Sequence, residues 1–85
     1  MKKVVMYSGD LCIHCDWAKE LLKRKKIDFV EYNVAQDTVK RDEMLKKSNG
    51  ARTVPQIFIE DYHVGGNREL QTLNREGKLD SLLGV

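Results

Sequence analysis

The sequence predicts an α/β fold in the order β-α-β-α-β-β-α, a four-stranded mixed sheet flanked by helices. Three observations carry that prediction. Apolar runs such as Val4-Val5-Met6 and Ile57-Phe58-Ile59 alternate with stretches of helical spacing. The first four elements follow the order of a parallel βαβ unit with a right-handed crossover, extended by a second helix. The only two cysteines, Cys12 and Cys15, fall where the first strand gives way to the first helix. A chain of 85 residues suffices for a modest core, so one domain is expected over residues 1–85.

Lys3 to Tyr7 is continuously apolar at its centre, as in a strand buried on both faces in the middle of a sheet. Ser8-Gly9-Asp10 is a turn cluster leading to the cysteines. From Ile13 to about Lys26, Ile13, Trp17, Ala18, Leu21 and Leu22 form a helical stripe, in which Trp17 is a packing residue. Lys23-Arg24-Lys25-Lys26 falls at the helix end, where cations complement the dipole. Asp28 to Val34 alternates as a second strand. Asp37 or Thr38 caps a second helix running to about Lys47, with a thin apolar face of Val39, Met44 and Leu45. Ser48-Asn49-Gly50 stops it.

Pro55 cannot donate to a ladder, so it belongs at the first residue of a third strand running to Glu60. Glu60-Asp61-Tyr62 then connects to a return strand starting at His63-Val64. Gly65-Gly66 ends that strand, and Asn67 caps a third helix carrying Leu70 and Leu73. Gly77 stops it, and Leu79, Leu82 and Leu83 form a last short helical turn over the sheet.

The composition, 41% hydrophobic and 33% charged, is that of an ordinary globular chain. A net charge of +2 argues for no nucleic-acid partner, and the basic run lacks interleaved aromatics. No stretch has the apolar length to span a bilayer, and the start of the chain lacks the apolar core of a leader. Two cysteines three apart staple almost nothing, so a reducing cytoplasm is the expected compartment. His14 and His63 with the two cysteines do not match a zinc spacing, so no metal is expected.

Cys12-Ile13-His14-Cys15 puts both sulfurs on one helical face, one turn apart, close enough to cycle between dithiol and disulfide. Unpaired N–H groups and the dipole at a helix N-terminus favour negative charge. Cys12 is therefore expected to be the exposed thiolate nucleophile, and Cys15 the buried resolving thiol.

A Cys-x-x-Cys after the first strand of a βαβ pattern points to a thioredoxin-like fold. With Thr53-Val54-Pro55-Gln56 and Gly65-Gly66 before a helix carrying Leu70, the chain resembles the glutaredoxin family over essentially its whole length. It looks most like the small bacterial dithiol members. The resemblance implies a glutathione-dependent thiol–disulfide oxidoreductase acting on protein disulfides and glutathionylated proteins, as a monomer. It also implies a cis Pro55 facing the cysteines, and glutathione pairing with the Val54 backbone as an added strand. Thr53, Val54 and Pro55 inherit that role, and His14 stands beside them in place of the family's usual tyrosine. Gly66 and Asn67 would offer helix N-terminal amides to a glutathione carboxylate.

The chain also departs from the family pattern. Ile13-His14 replaces the common Pro-Tyr, which should tune the reduction potential. Gly9-Asp10 stands where a cation is common, and Arg68-Glu69 where an acidic pair meets the α-ammonium of glutathione. Arg68 would repel that ammonium unless Glu69 or Asp10 takes over, and Arg52 offers one cation near the groove. Two alternatives are the same fold served by a thioredoxin reductase, and an iron–sulfur carrier using the first cysteine.

Overall fold

The computed structural model describes residues 1–84, so the final residue of the expected domain, Val85, lies outside the described residues. Strand β1 (Val4–Ser8) is central. It pairs in parallel with β2 (Val30–Asn33), in register from Val5↔Val30 to Ser8↔Asn33. On its other side it runs antiparallel to β3 (Gln56–Ile59), which forms a hairpin with β4 (Tyr62–Gly65). The sheet order β2-β1-β3-β4 is that of a thioredoxin-like α/β fold with a mixed sheet, as expected.

Alternation along the strands sends side chains to two cores. Val4 and Met6 of β1 and Ile57 and Ile59 of β3 face α1 (Ile13–Arg24), α3 (Asn67–Arg75) and α4 (Lys78–Leu83). Ala18, Leu21, Leu22, Leu70, Leu79 and Leu83 fill that side. The opposite face of the sheet, with Tyr7 and Phe58, packs against Met44 of α2 (Thr38–Lys47).

The helix α2 has the thin face its sequence suggests: Met44 is its one buried residue, and Val39 is 73% exposed. Polar contacts supplement this packing. Lys40 donates its backbone N–H to the Asp37 cap at 3.1 Å, and the Tyr7 hydroxyl donates to Glu43. The Lys40 ammonium pairs with Glu43 at 3.2 Å and lies 4.1 Å from the Tyr32 ring centroid.

Several expected boundaries move, each for a local reason. The first helix ends at Arg24, because Lys26 adopts a left-handed φ of 58°. The N–H groups of Lys26 and Ile27 turn back to Lys23 and Leu22, closing a Schellman motif without glycine. Asn49 ends α2 in the same way, with Gly50 bonded back to Leu45. The second strand is shorter than residues 28–34, although Val34 continues the ladder with an N–H bond to Ser8. Pro55 precedes β3, and Tyr62 belongs to β4, leaving Glu60-Asp61 as the hairpin loop. Gly66, not Asn67, is the cap of α3: its own N–H donates to Glu69 Oε1 at 2.7 Å. The last leucines form a distinct helix, α4, after Gly77 takes a φ of 72°.

One packing expectation is overturned. Trp17 is 47% exposed and Ile13 57%, so neither belongs to the core. Cys15 sets the phase of the α1 stripe instead: Cys15, Ala18 and Leu22, at i, i+3 and i+7, face the sheet with Leu21. Ile13 and Trp17, four apart, share a solvent-facing flank beside the cysteines.

Candidate functional site

The site is assembled where β1 feeds α1. Cys12 is the N-cap of α1, with extended backbone angles (φ −112°, ψ 101°), and its Sγ accepts the Cys15 N–H at 3.1 Å. This sulfur therefore sits at the positive end of the helix with an amide donor already aimed at it. Cys12 is partly exposed, whereas Cys15 is only 1% exposed. The two are joined as a disulfide, their Cα atoms 5.2 Å apart.

Across from the disulfide lies the segment before β3. The Val54–Pro55 peptide is cis, as the resemblance implies, and the Val54 carbonyl oxygen is 3.8 Å from Cys12 Sγ. Among the described residues the Val54 N–H and C=O take no backbone partner. The segment thus presents a short unpaired edge beside the sulfur, the geometry that an extended peptide needs for strand addition.

A groove of about 350 Å³ runs from this edge to the start of α3. Thr53, Val54 and Pro55 form one wall, and Gly66, Asn67, Arg68 and Glu69 the other. His14, the second residue of α1, reaches the same groove, its ring edge-on to Trp17 with centroids 5.2 Å apart. Every residue expected to contact glutathione is therefore brought together. Asp10 and Arg52 are not among the lining residues. The Asp10 carboxylate is instead held by the Asn33 and Gln36 side-chain amides at 2.8 and 3.2 Å.

Two glycines make the α3 end of the groove possible. Gly65 has a φ of 109°, a region that strains residues with a Cβ. A Cβ at Gly66 would sit 3.3 Å from Glu69 Oε1, crowding the contact that caps the helix. Four further lining residues were not foreseen: Ala51, Gln56, His63 and Gly65. His63, read from sequence as a hairpin residue held by packing or facing solvent, stacks on Phe58 and meets Gln56. The one sequence signal for this pair is a glutamine at the head of an otherwise apolar strand.

No helix is long and apolar enough to cross a membrane, among the described residues. Nor do any three His, Cys, Asp or Glu side chains among them group as metal ligands would.

The family model described as Glutaredoxin matches residues 4–64. A glutaredoxin of Pseudomonas aeruginosa is 46% identical over 85 residues, covering 100% of both chains. Among solved structures, the glutaredoxin of Brucella melitensis superposes with a TM-score of 0.82 at 44% identity, covering 98% of this chain and 89% of that one. A buckwheat glutaredoxin–glutathione complex superposes with a TM-score of 0.85 at 26% identity, covering 98% and 77%.

Proposed function

The chain belongs to the glutaredoxin family of thiol–disulfide oxidoreductases, and on that premise we propose that it is a glutathione-dependent one. The observation that carries the proposal is the unpaired Val54 edge, 3.8 Å from the Cys12 sulfur. A cysteinyl tripeptide lying along that edge would place its own sulfur against Cys12 while its backbone pairs with Val54. Its γ-glutamyl carboxylate would meet the Asn67 N–H at the start of α3; the Gly66 N–H expected beside it is taken up by Glu69 instead. The glutathione complex of the buckwheat relative supports the same ligand here.

In the reaction, the Cys12 thiolate attacks the glutathione sulfur of a mixed disulfide. A new S–S bond forms to Cys12, and the substrate sulfur leaves as a thiolate that takes up a proton. A second glutathione thiolate then attacks the glutathione sulfur, releasing glutathione disulfide and the Cys12 thiolate. Alternatively, Cys15 attacks Cys12, releases glutathione and closes the disulfide. Two glutathiones reopen it, leaving as glutathione disulfide. A protein disulfide enters by attack of Cys12 and leaves reduced when Cys15 closes on it. The Cys15 amide that caps Cys12 Sγ stabilises the thiolate at each return.

The reading includes a single domain over residues 1–85, acting as a monomer in a reducing cytoplasm. The use of just two cysteines, in one redox motif, supports that compartment.

The test is reduction of a mixed disulfide between glutathione and a small thiol, with glutathione as sole reductant. Turnover should vanish in Cys12→Ser and persist in Cys15→Ser; equal loss in both would remove the assigned roles. Arg68 on the groove wall favours one alternative, reduction by a thioredoxin reductase, since its charge opposes the ammonium of glutathione. Direct reduction of the disulfide by that enzyme, with none by glutathione, would select it.

A further inference from the structure

Proline has no N–H, so the Thr53-Val54-Pro55 segment lacks one backbone donor for its own carbonyls. The Gln56 side chain supplies a donor instead. Its Nε2 donates to the Thr53 carbonyl at 3.0 Å and to the Thr53 hydroxyl at 3.2 Å. Only the NH₂ end of an amide can donate to a carbonyl, so Gln56 Oε1 is committed as an acceptor. That oxygen is 2.6 Å from His63 Nε2. Two lone pairs cannot face each other at this distance, so His63 Nε2 carries a hydrogen. His63 therefore donates to Gln56 whether it is neutral or protonated.

The donor is itself held in place. The His63 ring stacks on Phe58, with centroids 4.6 Å apart and planes at 15°, and Phe58 is 2% exposed. Gln56 is 5% exposed beneath the exposed His63 ring, so removing that ring would leave Oε1 without a fixed donor and loosen the amide. A loosened amide would hold Thr53 less firmly through its two bonds. His63, Gln56 and Thr53 all line the groove, and Val54 is the next residue after Thr53.

We propose that His63 is a positioning residue: acting through Gln56, it fixes Thr53 and so holds the free backbone edge of Val54 in place for the incoming ligand. It touches none of the reacting atoms. For its kinetic consequence the proposal rests on the glutathione reading of the groove; its structural consequence does not.

The experiment uses the full chain as His63→Ala, His63→Gln, Gln56→Ala and the His63→Ala/Gln56→Ala double variant. One readout is the KM for glutathione in the mixed-disulfide assay. The other, made without ligand, is NMR of the Gln56 side-chain amide and the Val54 backbone amide. Loss of one hydrogen bond should raise KM about fivefold in His63→Ala, with kcat changing far less. His63→Gln, which keeps an N–H donor, should restore most of this. The double variant should be no worse than Gln56→Ala alone, because both changes break one chain of contacts. In the ligand-free spectra, His63→Ala should speed exchange of the Gln56 amide hydrogens about tenfold and shift the Val54 amide. Additive effects in the double variant, or an unchanged Gln56 amide in folded His63→Ala, would overturn the proposal. If the wild-type protein shows no saturation by glutathione, the glutathione reading fails, and the ligand-free spectra still decide whether His63 positions this edge.

Discussion

The contact joining Ser8, Glu31 and Lys19 ties the strand that leads to Cys12 to the helix that carries it, and it should make stability depend on pH. Ser8 is 1% exposed, and its hydroxyl donates to Glu31 Oε2 at 2.6 Å. Lys19 of α1 approaches the same oxygen at 3.0 Å. The Ser8 bond, with help from Lys19, holds the Glu31 carboxyl below its ordinary value of 4.5. Replacing Glu31 by Gln keeps an acceptor for Ser8 but removes the charge. A hydrogen bond to a charged group exceeds a neutral one by about 1 kcal/mol. The lysine pair is partly solvated and adds only about 0.5 kcal/mol. Glu31→Gln should therefore cost about 1.5 kcal/mol near pH 7, or about 6–12 °C in Tm for a domain of this size.

The sign of the pH dependence follows from the depressed carboxyl. Stability from an acid with a lowered native pKa is fully present above its unfolded value and is lost as pH falls through the native one. Urea unfolding of both proteins from about pH 7 to about pH 3 should show the gap begin to close below about pH 4.5, where Glu31 of the unfolded chain takes up its proton, and vanish once the native carboxyl is neutral as well. Comparing the two proteins removes the contribution of Glu43, whose carboxyl is also held low, first by the Tyr7 hydroxyl. A gap that stays constant to the acid end would refute the assignment of that stability to the Glu31 charge.

Met44→Ala should destabilise the fold by about 2–4 kcal/mol in chemical unfolding, since α2 has no other buried side chain. On α1, Leu21→Ala should cost about 2–5 kcal/mol and Trp17→Ala under about 1 kcal/mol, the reverse of what side-chain size alone would suggest. Tyr7 is pushed well above the ordinary phenol range, by burial first and then by its bond to Glu43. Its ultraviolet titration should run above the ordinary phenol range, and Glu43→Gln should bring it down part of the way.

Elements governed by local rules were legible in the sequence. The apolar run of β1, the Asp37 cap and the Asn49-Gly50 stop each act within a few residues. The redox pair and the two groove walls were legible because each is a contiguous segment: Cys12 to Cys15, Thr53 to Pro55, Gly66 to Glu69. What escaped depends on phase or register. A stripe drawn through Ile13 and Trp17 has helical spacing, so periodicity alone assigns them to the α1 core. The buried stripe instead runs through Cys15, whose thiol is apolar enough to face the sheet. His63 pairs with Phe58, two residues from Gln56 on the same face, and that register is set by the two-residue Glu60-Asp61 loop, where the sequence suggests a three-residue connection that would turn His63 to the other face. The sequence shows only that a polar residue opens a strand buried at every position. A buried amide must be satisfied at both ends, so such a glutamine demands one donor and one acceptor from its surroundings. Here the acceptor is Thr53, beside the redox pair, and the donor is His63, so a requirement of burial at β3 becomes a constraint on the shape of the groove.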